Sequence, residues 1–167
     1  MSTPSKVYKR TDYSDGLCEL RKNECVYIYE DVGRNMILPE NVEEFEQMLD
    51  LVYYKKPKVL PRRILQAFLE IQKPKYKAFD EVFFQMILSR PSPDELYDSL
   101  KKINFPTKII WGKHDKVSDV TGGEILNYII EGSEFEVVDR CGHALTLERP
   151  RKTANIICNF IQKNITC

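Results

Sequence analysis

Thr107-Lys108-Ile109-Ile110-Trp111-Gly112 is a short β-branched and aromatic run between Pro106 and a glycine, and it predicts a strand. Residues 119–130 follow, with Ile125, Leu126, Ile129 and Ile130 at helical spacing. Glu134-Phe135-Glu136-Val137-Val138-Asp139 predicts a second strand, and Pro150 opens a last helix with Ile156, Ile157, Phe160 and Ile161 on its buried face. Strand, helix, strand, helix is the order of a parallel α/β sheet. A right-handed crossover puts the ends of both strands on one edge of that sheet.

Two residues stand at those ends. Asp115 follows the first strand and His143, 28 residues later, follows the second. Neighbouring strands run about 4.8 Å apart, so a carboxylate and an imidazole there reach hydrogen-bond distance. They would meet in the crevice where open α/β sheets place their ligands. An Asp that holds a His in one tautomer is the orienting half of a Ser-His-Asp system. Taken singly, an Asp after a strand is more often a turn residue or a cap, and a single His is often structural. Their pairing at matching strand ends brings the functional reading level with the structural one. His114 reads as an exposed neighbour of Asp115.

Upstream, residues 1–105 read as helical. Asn41 and Glu44 make a cap-like start before Phe45, Met48, Leu49 and Val52. Pro61 suits the first turn of a helix with Ile64, Leu65, Phe68 and Leu69 on one face. Phe79, Val82, Phe83, Met86 and Ile87 keep a period near 3.6, and Ser92-Pro93-Asp94-Glu95 is a capping box ahead of inward-facing Leu96 and Leu100. The expected organisation is a helical region over 1–105 and an α/β segment over 106–167. Two parallel strands do not make a doubly wound domain, because parallel sheets are normally larger and covered on both faces. The expectation is therefore that these residues form part of a larger fold or pair with a missing half.

Composition narrows the function classes. The 167 residues carry 25 Lys+Arg and 25 Asp+Glu, a formal net charge of zero, which argues against binding nucleic acid by bulk charge. With 43% hydrophobic and 30% charged residues the chain is ordinary globular material. No apolar run reaches the roughly 18 residues of a membrane span, and polar Met1–Arg10 reads as neither signal peptide nor anchor. Five cysteines (Cys18, Cys25, Cys141, Cys158, Cys167) without C-x-x-C spacing predict free buried thiols in a reducing compartment.

Residues 106–117 resemble the acid strand and loop of α/β-hydrolases, and Cys141-Gly142-His143-Ala144 with Glu148-Arg149-Pro150 resembles their histidine loop and last helix. Asp119-Val120-Thr121-Gly122 and residues 148–154 narrow the likeness to the membrane-associated monoacylglycerol lipases of the α/β-hydrolase-domain family. Pro39 to Leu69 is similar to the cap of those lipases, and Thr3-Pro4-Ser5 to the point where the cap leaves the sheet. The resemblance implies a partial α/β-hydrolase fold, a helical cap followed by a β-α-β-α segment with two parallel strands. It implies Asp115 as triad acid, His143 as triad base, hydrolysis of a monoacylglycerol to fatty acid and glycerol, and no metal or organic cofactor. Val117 and Ala144, flanking the pair, would line the substrate pocket. The family is membrane-associated; the chain itself reads as intracellular or unassigned.

The nucleophile of such a hydrolase sits in G-x-S-x-G at a strand-to-helix turn. None of the eight serines (positions 2, 5, 14, 89, 92, 99, 118 and 133) has glycine at both −2 and +2, and Gly16-Leu17-Cys18-Glu19-Leu20 has only the first glycine. Three readings stay open: a lipase represented by its cap and acid–base segments; another α/β-hydrolase chemistry (C–C, epoxide or haloalkane cleavage); and a non-catalytic lipid-binding or interaction fragment. Between Tyr53 and Lys77, eight basic residues (Lys55, Lys56, Lys58, Arg62 and Arg63 among them) interleave with aromatics, a composition suited to the surface of an anionic bilayer and, more often, to a solvated face.

Overall fold

The computed structural model describes residues 38–57, 61–89 and 91–164. Thr3-Pro4-Ser5, Gly16 to Leu20, Cys25, Lys58 and Cys167 lie outside the described residues.

Helix α1, Val42–Val52, starts at Asn41, whose side chain accepts the Glu44 N–H at 2.9 Å while the Glu44 carboxylate accepts the Glu40 N–H. The first contact satisfies a donor that the first helical turn leaves without an intrahelical partner, and the second ties down the residue before the cap. Helix α2, Arg62–Gln72, packs on α1: Val42, Phe45 and Leu49 close over Leu65 and Leu69, with Phe68 edge-on to Phe45 at 5.1 Å. Each buried Leu here contributes about 1.5–3 kcal/mol. A short 3₁₀ turn, Lys73–Lys75, leads into α3, Tyr76–Leu88, which is tied back by the Tyr76 hydroxyl donating to the Pro39 carbonyl. Helix α4, Pro93–Leu100, carries the full capping box at Ser92 and Glu95.

Strands β1, Lys108–Gly112, and β2, Glu134–Val138, run parallel, with Lys108 opposite Glu134 and Gly112 opposite Val138. Helix α5, Thr121–Ile129, crosses between them and lies on one sheet face, so close that a Cβ on Gly123 would sit 2.4 Å from the Phe135 ring. On the other face α7, Pro150–Asn164, brings Ile156 against Val138 and Cys141, with Ile110 and Leu145 beside them. The four-residue α6, Leu145–Glu148, joins the β2 end to α7. Helix α4 docks on α5, Leu96, Tyr97 and Leu100 meeting Ile125 and Ile129, so packing crosses Pro106.

Three expectations need correction. On α2 only Leu65 and Leu69 are buried (3% and 4% exposed), whereas Ile64 and Phe68 are 59% and 44% exposed. On α7 Ile156 is buried, but Ile157 and Ile161 are exposed. Each helix is covered along one line of side chains, narrower than the apolar stripe written in its sequence. Cys158 is exposed for the same reason, two positions past Ile156, while Cys141 is fully buried.

Candidate active site

The ends of β1 and β2 are extended by two further backbone bonds: the Lys113 N–H donates to Val138 O and the His114 N–H to Cys141 O. Gly112 is required at this point, because a Cβ there would lie 2.1 Å from the Gly142 oxygen. The close approach brings the two post-strand loops into one cluster.

Asp115 stands in the first loop with its side chain only 5% exposed. One oxygen accepts the N–H groups of Val117 (2.8 Å) and Ser118 (3.0 Å), an Asx-type turn that fixes the carboxylate. The other lies 2.9 Å from Nδ1 of His143. The Trp111 indole donates to Ser118 O and holds the loop against the sheet. His143, on the second loop, is about half exposed. The two residues singled out at the strand ends thus meet, one oriented by the backbone and the other by the carboxylate. Such a pair can hold an imidazole in the tautomer with a proton on Nδ1, which makes Nε2 the base.

Val117 and Ala144 are half-buried beside the pair; the Ala144 N–H donates to Val52 O. His114 is exposed less freely than its sequence position suggests: its ring stacks on Tyr54 at 4.4 Å, and Nε2 is 3.9 Å from Asp139. Burial, aided by the charge of Glu148, pushes the thiol of the fully buried Cys141 above its ordinary range. Among the described residues no three His, Cys, Asp or Glu side chains converge to hold a metal ion.

Sequence reasoning assigned no role to Glu148, Arg149 or Gly142. The Glu148 carboxylate accepts three backbone N–H groups: Gly142 at 2.6 Å, Tyr54 at 3.0 Å and Lys55 at 3.0 Å. Arg149 donates twice to the carbonyl of Arg140, which has φ of +51° at the turn out of β2. A Cβ on Gly142 would meet Tyr54 N at 2.7 Å and Val52 O at 2.8 Å. The α1 exit and the histidine loop therefore interlock, and a cavity of about 610 Å³ lies beside them, lined by Tyr53, Tyr54, Lys55, Arg140, Leu147 and Glu148. Val117 and Ala144 are not in its wall. A second cavity, about 450 Å³, lies at the opposite end of the strands beneath α7.

Over 125 residues, 75% of this chain, the sequence is 41% identical to monoacylglycerol lipase ABHD6 of Rattus norvegicus and 38% identical to that of Homo sapiens. The fold matches the crystal structure of a membrane phospholipase A, a bacterial virulence factor, with a TM-score of 0.66 and 30% identity over 81% of this chain and 43% of that one. The chain is similar in sequence to these lipases and in fold to part of an α/β-hydrolase. The likeness also extends to a lipase structure from Acinetobacter baumannii AYE, at a TM-score of 0.67 over 96% of this chain and 49% of that one; its 18% identity speaks for the fold alone. No family model matches the chain. The chain spans about a third of the length of its curated relatives, 36% of the rat and human lipases, so it carries part of an α/β-hydrolase fold.

Proposed function

We propose that these residues supply the helical cap (1–105) and the acid–base half (106–167) of a serine ester hydrolase of the acylglycerol lipase type. The observation that carries the proposal is the buried, backbone-fixed Asp115 carboxylate 2.9 Å from His143 Nδ1. In this reading Asp115 is the triad acid and His143 the base. Nε2 of His143 takes the proton of a serine hydroxyl as its oxygen attacks the ester carbonyl of a monoacylglycerol. The histidine then returns that proton to the departing glycerol. It next activates water to hydrolyse the acyl-enzyme, releasing the fatty acid. The serine and its oxyanion hole come from chain beyond these 167 residues, in which no G-x-S-x-G occurs. Val117 and Ala144 line the acyl site.

The test uses the native polypeptide, captured from source tissue with an antibody to residues 119–167. It should hydrolyse monoacylglycerol and take up a fluorophosphonate probe, and expressing it with His143→Ala should abolish both. A captured polypeptide without hydrolase activity would remove the lipase reading and leave a lipid-binding role. The 167-residue chain alone should stay unlabelled; saturable labelling of it would place the nucleophile among these residues after all.

The membrane is the second partner we propose. Lys55, Lys56, Arg62 and Arg63 are exposed, and Ile64, Phe68 and Ile71 stand exposed on the same helix α2 as the two arginines. Arg62 is paired with Glu43 and Lys56 with Asp50, which occupies two of these four cations. The apolar side chains therefore carry more of the binding than charge does. Among the described residues no helix is long and apolar enough to cross a membrane. Co-sedimentation with vesicles of rising anionic fraction should show binding that persists without anionic lipid and strengthens modestly with it; no binding at any composition would refute the contact.

A further inference from the structure

We infer that Glu148 is a positioning residue for His143, a carboxylate clamp that ties the histidine loop to the exit of helix α1. The inference rests on the reading of Asp115 and His143 as the acid–base pair. Both Glu148 oxygens are engaged: one takes the N–H groups of Gly142 and Tyr54, the other that of Lys55. The Gly142 bond, at 2.6 Å, acts on the amide of the residue immediately before His143. On the other side of the histidine, the Ala144 N–H donates to Val52 O at 3.1 Å. Residues 52–55 therefore grip the chain on both sides of His143, and the glycine at 142 is what lets the backbones approach so closely.

The chemistry requires a carboxylate. Three N–H donors converge on one side chain, and only an ionised acid offers acceptor-only oxygens to all of them. A Gln keeps one accepting oxygen and turns its own N–H₂ toward at least one of the three donors. The turn out of β2 is held at a second point: Arg140 sits at positive φ, and its carbonyl is secured by Arg149, the neighbour of Glu148. Two adjacent side chains on the α6–α7 junction thus fix the loop from both ends. Movement of the α1 exit reaches the imidazole through Glu148 without passing through the sheet.

The experiment is NMR on the ¹⁵N-labelled chain, whose only two histidines, His114 and His143, are told apart by His114→Ala. Wild type should show His143 with its proton on Nδ1 and a downfield Nδ1–H resonance. In Glu148→Gln the amides of Gly142, Tyr54 and Lys55 should exchange together about 10- to 100-fold faster, as expected when bonds to a charged acceptor are lost. The His143 Nδ1–H resonance should broaden or vanish while Ile110 and Val138 amides keep their shifts. Glu148→Asp, which restores the charge one methylene short, should bring the His143 signal back in part. If the three amides respond but His143 does not, Glu148 is structural only and the inference is overturned. If wild type itself lacks the Nδ1–H signature, the acid–base reading fails instead. Should Glu148→Gln not fold, wild-type exchange decides: one shared opening rate for the three amides supports the clamp, and three unrelated rates refute it.

Discussion

Replacing Asp115 with Asn separates charge and acceptor geometry from size. The side chain is 5% exposed and makes three contacts, to Val117 N at 2.8 Å, Ser118 N at 3.0 Å and His143 Nδ1 at 2.9 Å. The carbonyl oxygen of Asn can keep the two loop bonds, although each becomes neutral rather than charge-assisted. Its N–H₂ then faces Nδ1, where an acceptor stood. The histidine must answer by moving its proton to Nε2, so that Nδ1 accepts. A hydrogen bond to a charged partner contributes about 1.5–3 kcal/mol and a neutral one about 0.5–1.5 kcal/mol. His143 is half exposed, which places its bond at the low end of that range. Together with the weakened loop bonds, the expected loss is roughly 2–3 kcal/mol. At about 2–4 °C per kcal/mol for a chain of this size, Tm should fall by about 4–12 °C. Calorimetry reads the second quantity, and imidazole ¹⁵N shifts read the tautomer. In the hydrolase proposed above, the wrong tautomer should lower kcat by about four orders of magnitude, as it does in the serine protease triad. A variant with the proton still on Nδ1 and an unmoved Tm would refute the reasoning, because neither the carboxylate nor its charge would then be holding the histidine.

Four further substitutions test packing and charge. Leu65→Ala should cost about 2–5 kcal/mol in urea unfolding, since Leu65 is 3% exposed among Val42, Phe45, Leu49 and Leu69. Ile64→Ala, one residue away but 59% exposed, should stay within about 0.5 kcal/mol. Gly112→Ala should cost about 1–3 kcal/mol and disturb the His143 signals, because its Cβ must displace the Gly142 oxygen; an unchanged His143 spectrum would mean the two loops are not in contact. The Cys141 thiol is raised by burial, so the stability it confers is complete below the ordinary thiol range and is lost as pH climbs through the raised value. Denaturation at increasing alkaline pH should therefore show a loss that Cys141→Ala reduces; identical profiles would remove Cys141 from the cause.

The parts of the molecule legible in the sequence are those whose causes lie close together along the chain. Asn41 with Glu44, and Ser92 with Glu95, are three residues apart, and the structure forms both caps where that spacing puts them. The β1 and β2 runs are β-branched and bounded by breakers, and their parallel register follows from the helix between them. Asp115 and His143 meet because parallel strand ends share an edge, a long-range fact encoded in a local order of elements. What a neighbour covers is not encoded so. The α2 stripe of Ile64, Leu65, Phe68 and Leu69 shows that the helix has an apolar side, yet only the placement of α1 decides that Leu65 and Leu69 take the interior. Glu148 is the extreme case. Its partners at Tyr54 and Gly142 are 94 and 6 residues away, and no periodicity or motif spacing marks an acid that accepts from backbone rather than from a side chain. A backbone N–H is present at almost every residue, so sequence cannot single out which of them a carboxylate will find. That asymmetry explains why the meeting of Asp115 with His143 was readable before the structure, and why the contacts of Glu148 were not.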